Sequence, residues 1–134
     1  MKTKSKTSQL RAEADRVFSL YIRKKYRNSL GVVNCVCDND EAKLEYHHNT
    51  IHCAHYVTRG NDSVRWHEKN AGPMCEGCNY FNPKQKELLG AWLNQTHGEG
   101  TTDEMERLGR STLKLLPFEI EEIIESYKLK LKEL

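Results

Sequence analysis

Two pairs of cysteines, about forty residues apart, constrain the fold of this chain more than any other feature of its sequence. One pair is Cys35 and Cys37, and the other is Cys75 and Cys78. A Cys-x-x-Cys turn such as Cys75 to Cys78 lets two sulfurs reach one metal ion, and together the two pairs can supply the four thiolates of a tetrahedral zinc site. We therefore predict that one structural zinc joins these two segments of the chain.

The composition favours a metal that crosslinks the chain. Only 37% of the 134 residues are hydrophobic and 30% are charged, so we expect a thin apolar core. Small domains with thin cores usually gain stability from a metal, from disulfides or from a partner chain. Disulfides are the alternative here, but the first nine residues contain no apolar stretch typical of a secretion signal, and no segment is long enough to span a membrane. We expect a cytoplasmic protein with reduced, zinc-binding thiols.

The first cysteine pair leaves the ligand set open at one position. Cys35 and Cys37 are separated by one residue, a less usual spacing for a zinc site than two. If one of these thiols does not bind the metal, Cys53, His48 or His52 could take its place. Cys53 also has a simpler interpretation as a small buried hydrophobic residue.

The remaining sequence predicts an α+β fold in which helices flank this core. We expect a disordered basic arm over residues 1–8, an amphipathic N-terminal helix over residues 9–30, a zinc-bound core over residues 31–97 and C-terminal helices over residues 98–134. Both outer helical segments have apolar residues at helical spacing. The apolar stripe that follows Pro117 is long for so small a core, so the C-terminal helices are a candidate dimerisation arm.

Within the core, the sequence predicts strands and loops around the cysteines. Residues 44–57 are expected to hold the strands of a hairpin, residues 64–66 a short strand, and residues 67–74 a loop. Asn82 followed by Pro83 is typical of a helix start, with the Asn as the N-cap.

Positive charge is concentrated in the N-terminal part of the chain. Residues 1–29 contain nine Lys and Arg against two acidic residues, a net charge of +7, although the whole chain has a net charge of only +2. This asymmetry indicates a polyanionic partner. The alternative is a solvated tail followed by an ordinary charged helix face.

Three residues near the second cysteine pair have side chains suited to hydrolysis of a phosphodiester. His55 lies in a predicted strand, Asn70 precedes the second pair by five residues, and Asn79 follows Cys78 directly. A histidine that takes a proton from water, close to a carbonyl oxygen that binds a hard cation, is typical of metal-assisted phosphodiester hydrolysis. His55 alone could equally be a structural histidine, since the chain contains six histidines.

The order His55, Asn70, Cys75-x-x-Cys78-Asn79 resembles the HNH, or ββα-metal, nuclease superfamily, including zinc-stapled members such as the phage junction resolvase endonuclease VII. A longer resemblance, over about residues 15–95, is to the NinG/Rap family of lambda-type phages. The residues that carry this longer resemblance are Phe18-Ser19-x-Tyr21-Ile22-Arg23 followed by a glycine and a cysteine pair, Ala54-His55-Tyr56, Arg65, Asn70 and Cys75-x-x-Cys78-Asn79.

The resemblance implies a role for each of these polar residues. His55 would be the general base that activates water, Asn70 would hold the loop that orients it, and Asn79 would bind the catalytic Mg²⁺ or Mn²⁺. The chain would then be a structure-selective DNA endonuclease that acts on Holliday junctions and D-loops in phage recombination, as a homodimer. The residues expected to contact the DNA backbone are Arg23, Lys24, Lys25, Arg27, Arg59 and Arg65.

Three features of the sequence depart from the superfamily. Ala54 stands where many members place an Asp or His metal ligand, the first cysteine pair is compressed, and Pro83 makes Asn82 a cap in preference to a second metal ligand. The alternative function is therefore a zinc-stapled DNA-binding module that keeps the HNH scaffold with weak or no catalysis. A third interpretation is a zinc-stabilised adaptor without a nucleic-acid role.

Overall fold

The structure is a computed structural model that describes residues 5–38 and 44–134. Over these residues helices alternate with short strands, which confirms the predicted α+β class. In chain order the elements are α1 (Lys6–Lys25), β1 (Val32–Asn34), β2 (Glu45–His47), β3 (His52–His55), α2 (Asp62–Arg65), a 3-10 turn (Glu68–Asn70), β4 (Ala71–Met74), α3 (Glu76–Phe81), α4 (Gln85–His97), α5 (Thr101–Leu108) and α6 (Pro117–Lys132). None of the described helices has the length and apolar character needed to cross a membrane.

Helix α1 begins earlier than its apolar periodicity predicts because Ser5 caps it. The hydroxyl of Ser5 accepts a hydrogen bond from the N–H of Ser8 at 3.1 Å. The helix therefore includes residues 6–8, which were expected to belong to a disordered arm, whereas residues 1–4 lie outside the described residues. At its other end α1 stops at Lys25, five residues before the predicted boundary.

The strands form two separate antiparallel pairs, β1 with β2 and β3 with β4. In the second pair His55 lies opposite Ala71. The expected hairpin over residues 44–57 is therefore wrong, because this segment contributes one strand to each pair. The short helix α2 replaces the strand expected at residues 64–66, and β4 replaces part of the loop expected over residues 67–74.

Strands β3 and β4 and helix α3 form a hairpin followed directly by a helix, and α3 packs against β3. Cys75 is the N-cap of α3, since its Sγ accepts a hydrogen bond from the N–H of Cys78 at 3.5 Å. This arrangement brings the end of β3, where His55 lies, to the same region as the helix that carries Asn79.

The buried apolar residues form two clusters. The first lies between α1 and α6 and contains Ala14, Val17, Phe18, Tyr21, Ile22, Trp66, Ala71, Ile120, Ile124 and Tyr127. The second lies between the strands and α4 and contains Val33, Cys35, Ile51, Ala54, Met74, Cys75, Leu89 and Leu93. The apolar stripe of α6 thus packs on α1 within one chain, which removes the reason for predicting a dimerisation arm there. The homodimer itself stays a prediction.

Two arginine–carboxylate pairs hold α2 against α1. Arg11 donates to both carboxylate oxygens of Asp62 at 2.8 and 2.6 Å, and Arg65 donates to both oxygens of Asp15 at 3.0 and 2.7 Å. The hydrogen bonds from Arg11 lower the pKa of Asp62 to about 2, which outweighs the opposing effect of burial. Such bidentate pairs fix geometry as well as charge, so the segment after β3 has a defined position.

Gly72 in β4 offers a test of the packing between the strands and α4. A Cβ at this position would lie 2.8 Å from Cζ3 of Trp92 and 3.0 Å from Cδ1 of Leu89. We therefore expect Gly72→Ala to lower the free energy of unfolding by about 1–3 kcal/mol in urea denaturation. Gly77→Ala is the control, because a Cβ there would meet nothing within 4 Å and Ala favours a helix. Equal stability losses in the two variants would contradict this packing.

Candidate metal centre and adjoining cleft

Three cysteine thiols from two distant segments converge in the structure. The Sγ atoms of Cys35, Cys75 and Cys78 all lie within 4.8 Å of one another. Cys35 follows β1, whereas Cys75 and Cys78 belong to the first turn of α3. The predicted convergence of the two cysteine pairs is therefore confirmed for these three thiols, and the cluster can hold a metal ion such as zinc.

Backbone N–H groups point at the sulfurs of this cluster. Cys35 Sγ accepts hydrogen bonds from the N–H of Cys75 at 3.2 Å and from the N–H of Cys37 at 3.5 Å. Cys75 Sγ accepts from the N–H of Cys78 at 3.5 Å. Donors of this kind stabilise thiolate charge and orient the ligands of a metal site.

The thiols of the cluster differ in how readily they ionise. Burial raises the pKa of Cys75, but hydrogen bonds from the Cys78 N–H and from the Tyr46 hydroxyl outweigh it, so the pKa is lowered overall. Burial raises the pKa of Cys35 to about 11, and the charges of Cys75 and Cys78 add to this effect. Several thiolates at such short distances need a cation to balance their charge, and a zinc ion would supply it.

Cys37 lies beside the cluster. Its pKa is raised, first by burial and then by hydrogen bonding with the thiol of Cys78 and by the charge of Cys35. Cys37 is not a member of the cluster of three sulfurs, so its role as the fourth zinc ligand stays a prediction. The alternative ligands His48, His52 and Cys53 are not members of the thiol cluster within the described part of the chain.

A cleft of about 590 Å³ opens on the other side of β3, between α1 and α3. None of the described side chains that line it is acidic, and two of them, Arg23 and Arg59, are arginines. The lining residues are Ser19, Arg23, Asn49, Thr50, Ile51, His52, Cys53, Ala54, His55, Thr58, Arg59, Asn79 and Tyr80. The cleft therefore contains His55 and Asn79, two of the three residues predicted to be catalytic.

His55 is held in one tautomer by a backbone carbonyl. Its Nε2 lies 2.9 Å from the carbonyl oxygen of Arg65. Because a carbonyl oxygen can only accept a hydrogen bond, Nε2 carries the proton and Nδ1 of the neutral ring keeps its lone pair. Burial lowers the pKa of His55 and outweighs the effect of this hydrogen bond, which favours the charged ring. His55 is thus a neutral proton acceptor near neutral pH.

Asn70 organises the segment that carries this carbonyl. The residue is fully buried, and its Oδ1 accepts a hydrogen bond from the N–H of Val57 at 2.8 Å. Its Nδ2 donates to the carbonyl oxygens of Val57 at 3.0 Å and Val64 at 3.1 Å. Asn70 therefore closes the loop that leads from β3 to Arg65, although it does not line the cleft. Its catalytic importance stays a prediction.

Asn79 lies on the first turns of α3 and shares the cleft with His55. Its Oδ1 accepts one hydrogen bond, from Nε2 of Gln85 at 3.3 Å. An amide oxygen has two lone pairs, so this bond leaves a second lone pair that could bind a hard cation.

Asn82 and Ala54 do not add oxygen ligands to the cleft. Asn82 ends α3, and its Oδ1 accepts a hydrogen bond from the N–H of Lys84 at 2.9 Å. Helix α4 consequently begins at Gln85, two residues after the predicted start at Pro83. Ala54 is 1% exposed and packs in the second apolar cluster, so it contributes only a methyl group.

The six basic residues predicted to contact DNA fall into two groups. Arg23 and Arg59 line the cleft. Arg23 donates from Nη1 to the His48 carbonyl at 2.9 Å and from Nε to the Ser19 carbonyl at 3.2 Å, and burial lowers its pKa. The side chain of Arg59 is 62% exposed and lies 3.9 Å from Asp15.

The other four basic residues lie outside the cleft lining. Lys25 pairs with Glu68 at 3.2 Å, and the guanidinium of Arg65 is bound by Asp15, as described above. Lys24 ends α1 together with Lys25, and Arg27 follows the helix. DNA contacts by any of the six residues stay a prediction.

Two residues of the site were not anticipated from the sequence. Tyr46 in β2 donates its hydroxyl to Cys75, and Tyr80 lines the cleft one residue after Asn79. The contact of Tyr46 depends on the pairing of β1 with β2, for which the sequence gives no local signal. Tyr80 directly follows Asn79 in the sequence, and this position could have indicated that Tyr80 lies at the site.

Comparison of the chain with protein-family models, with curated proteins and with solved structures gave no match. The proposals below therefore depend on the geometry of the thiol cluster and of the cleft.

The metal content of the purified protein tests the thiol cluster. We expect about one zinc per chain, and we expect Cys75→Ser to lose it and to lower the thermal midpoint by about 10 °C or more, because binding of a structural zinc contributes to folding. Elemental analysis and thermal melting measure both effects. The matched control is Cys53→Ala, which removes a thiol from the cleft and should retain the zinc. A full zinc content in Cys75→Ser would exclude the proposed ligand.

Proposed function

We propose that this protein is a metal-dependent endonuclease that hydrolyses phosphodiester bonds in branched DNA, such as the Holliday junctions and D-loops of phage recombination. The observation that carries the proposal is the pairing of His55 and Asn79 in one cleft, with Nε2 of His55 bonded to the carbonyl of Arg65. This geometry gives a base with a free lone pair and a neutral oxygen ligand on the same surface.

The order of the elements around the cleft supports a zinc-stapled ββα-metal core of the HNH type. The antiparallel pair of β3 and β4 is followed at once by α3, and the thiols of Cys35, Cys75 and Cys78 join the start of α3 to the segment after β1. We include Cys37 as the fourth zinc ligand because it lies beside Cys35 and Cys78. The motif resemblance to the NinG/Rap family is consistent with this arrangement.

His55 acts on water in the proposed reaction. Nδ1 of His55 accepts a proton from a water molecule, and the resulting hydroxide attacks the phosphorus atom of a phosphodiester bound in the cleft. The bond from Nε2 to the Arg65 carbonyl stabilises the imidazolium that forms, and Asn70 keeps that carbonyl in place through the loop it closes. The phosphorus–oxygen bond to the leaving 3′ oxygen then breaks, and water supplies the proton that this oxygen takes up.

The donor set of the cleft fits a magnesium or manganese ion that retains most of its water. Asn79 offers an amide oxygen, whereas Ala54 offers no ligand atom. Mg²⁺ keeps several waters and is often bound by few protein ligands together with substrate phosphate oxygens. Such an ion, held by Asn79, would balance the negative charge that develops on the phosphate during attack.

Arg23 and Arg59 give the cleft its affinity for a phosphate backbone. Hydrogen bonds to His48 and Ser19 occupy Nη1 and Nε of Arg23, and no described residue accepts from its Nη2. A partly buried guanidinium with an unused edge favours an anionic partner, and phosphate is the anion that best matches this planar donor.

A second candidate function is a zinc-stapled DNA-binding module without catalysis. The observation that favours it is the buried methyl group of Ala54, which offers no ligand atom for a catalytic metal. This module would bind branched DNA through Arg23 and Arg59 and would not cut it with either metal.

His55→Ala tests the nuclease. A positioned general base contributes about 10²–10⁴-fold, so we expect cutting of a four-way junction to fall at least about 100-fold while junction affinity and zinc content stay unchanged. Cleavage is measured on four-way junction, flap and linear duplex DNA, with and without Mg²⁺ or Mn²⁺. His47→Ala is the control, because His47 is exposed and lies outside the cleft lining.

Two results would contradict the nuclease. If His55→Ala cuts the junction as fast as the unchanged protein, His55 is not the general base. A protein that binds junctions but never cuts them with either metal would favour the binding module instead.

The pH dependence of cutting gives a separate test of His55. Burial lowers its pKa below the ordinary value of about 6.5, and a general base acts in its neutral form. We expect kcat/KM to be constant near pH 7 and to fall about tenfold per pH unit below the pKa, with the half-maximal point below 6.5. The unfolded chain binds a proton at His55 more readily, so stability should fall as the pH drops from about 6.5 towards the folded-state pKa and should level off below it, where cutting falls. Zinc content measured across the range is the control, and a half-maximal point above pH 7 would contradict the assignment.

A further inference from the structure

Two large aromatic side chains lie exposed at the end of α3, beside the cleft. Tyr80 is 65% exposed and Phe81 is 77% exposed, and their ring centroids are 6.3 Å apart. Tyr80 also lines the cleft with His55 and Asn79. We propose that the ring of Tyr80 is a stacking surface for an unpaired nucleobase of the DNA, and that Phe81, whose ring plane lies at 75° to that of Tyr80, contacts the edge of this base. This inference rests on the proposed function and names its substrate class as DNA with unstacked bases.

The ring of Tyr80 has a contact that restricts its position, and Phe81 contacts Tyr80. They belong to α3, whose first turn carries Cys75 and Cys78 of the thiol cluster. The ring of Tyr80 also contacts the ring of His52 in β3, edge to face, with centroids 5.2 Å apart. A ring that is already held in place loses little conformational freedom when a ligand binds, so it makes an efficient stacking surface.

Tyr80 and Phe81 are two adjacent exposed aromatic residues beside a cleft, and this combination favours a ligand more than a single exposed ring does. Elsewhere in the chain Phe18, Tyr21 and Tyr127 are buried in the first apolar cluster, where they contribute hydrophobic free energy. Tyr80 and Phe81 make no comparable contact, although they are adjacent on a six-residue helix. An exposed apolar surface of this kind is typical of a binding site.

The charge of the neighbouring cleft identifies the ligand as a nucleic acid. Arg23 and Arg59 line the cleft, and none of its described lining residues is acidic. A positive groove that follows the phosphate backbone, next to aromatic rings on which bases stack, is the combination by which proteins bind single-stranded nucleic acid. A base inside an intact duplex cannot reach such rings, because both of its faces are stacked already.

The site also relates the unpaired base to the position of cutting. Tyr80 directly follows Asn79, the proposed metal ligand, so their Cα atoms are about 3.8 Å apart. A nucleotide whose base stacks on Tyr80 therefore brings a phosphate close to that end of the cleft. The protein would cut beside a base that is unpaired or unstacked, as at a branch point, and would leave an uninterrupted duplex intact.

Binding of the full chain to two matched DNAs tests the stacking site. One DNA is a duplex with a bulge of three unpaired thymines, and the other is the fully paired duplex of the same length. Fluorescence anisotropy is measured at one salt concentration with no Mg²⁺ or Mn²⁺ added, so cutting does not interfere. We expect the double variant Tyr80→Ala with Phe81→Ala to bind the bulged DNA about tenfold or more weakly and the paired DNA within about twofold of the unchanged chain.

Two control variants separate stacking from other effects. Tyr80→Phe combined with Phe81→Tyr keeps both rings and should bind like the unchanged chain. Phe118→Ala removes a ring that is 58% exposed on α6, away from the cleft lining, and should also bind like it. Zinc content and thermal melting of every variant confirm that α3 is folded. A 2-aminopurine at the bulge gives a direct signal, since stacking on the rings changes its fluorescence only while both rings are present.

Three results would overturn the stacking site. The first is an unchanged affinity of the double variant for bulged DNA, and the second is an equal loss of affinity for bulged and paired DNA. The third is a dimer of the unchanged chain that becomes a monomer in the double variant, as measured by light scattering, which would assign the rings to contact between two copies. Cleavage assays with Mg²⁺ then separate this inference from the nuclease. If binding depends on the two rings but the unchanged chain does not cut, the stacking site is supported and the nuclease is contradicted. If the unchanged chain cuts but binding does not depend on the rings, the nuclease is supported and the stacking site is contradicted.

Discussion

The approach of three sulfurs to within 4.8 Å of one another is the constraint on which the rest of this structure depends. It joins Cys35, after β1, to Cys75 and Cys78 at the start of α3, across forty residues of chain. Hydrophobic residues make up only 37% of the sequence, so burial alone offers limited stabilisation to a core of two small clusters. A metal at the thiols would add binding free energy to folding. It would also hold α3, and with it Asn79 and Tyr80, against the strands.

The orientation of His55 depends on a second device, which is independent of the thiols. Its ring is held by the carbonyl of Arg65, and that carbonyl is held by α2. Helix α2 is in turn fixed to α1 by the pairs Arg65–Asp15 and Arg11–Asp62. Asn70 donates a hydrogen bond to the Val64 carbonyl and so holds the loop between β3 and α2. The side chain of Arg65 thus has a structural partner in Asp15, which is a different role from the DNA contact expected from its charge.

The sequence was sufficient for those features that follow from local periodicity or from ligand spacing. The apolar spacing along α1, the start of α6 at Pro117 and the convergence of the cysteine segments are of this kind. The pairing of β3 with β4 was not predictable in this way, because a four-residue strand has too few positions to specify a distant partner. The segment around Val64 is equally short, so nothing in its pattern distinguished a helix from a strand.

Backbone atoms and exposure account for the parts of the site that the sequence could not predict. The Arg65 carbonyl that orients His55 has no side-chain signature, since every residue has a carbonyl. The sequence did identify His55, Asn70 and Asn79 as a set, because their order resembles a known motif, and the structure places His55 and Asn79 in one cleft. The exposure of Tyr80 and Phe81 could not be predicted, because the sequence does not show which aromatic residues the core buries.

In the proposed nuclease, binding of DNA and binding of the metal depend on each other, because none of the described residues that line the cleft is acidic. Asn79 supplies a neutral oxygen, so the protein alone has little charge with which to hold a divalent cation. A phosphate placed between Arg23 and Asn79 would supply the missing negative charge, and the cation would in turn strengthen the binding of that phosphate. By linkage each ligand must then raise the affinity for the other by the same factor. The metal would therefore occupy the cleft mainly when a DNA strand is already there, which restricts hydrolysis to bound DNA.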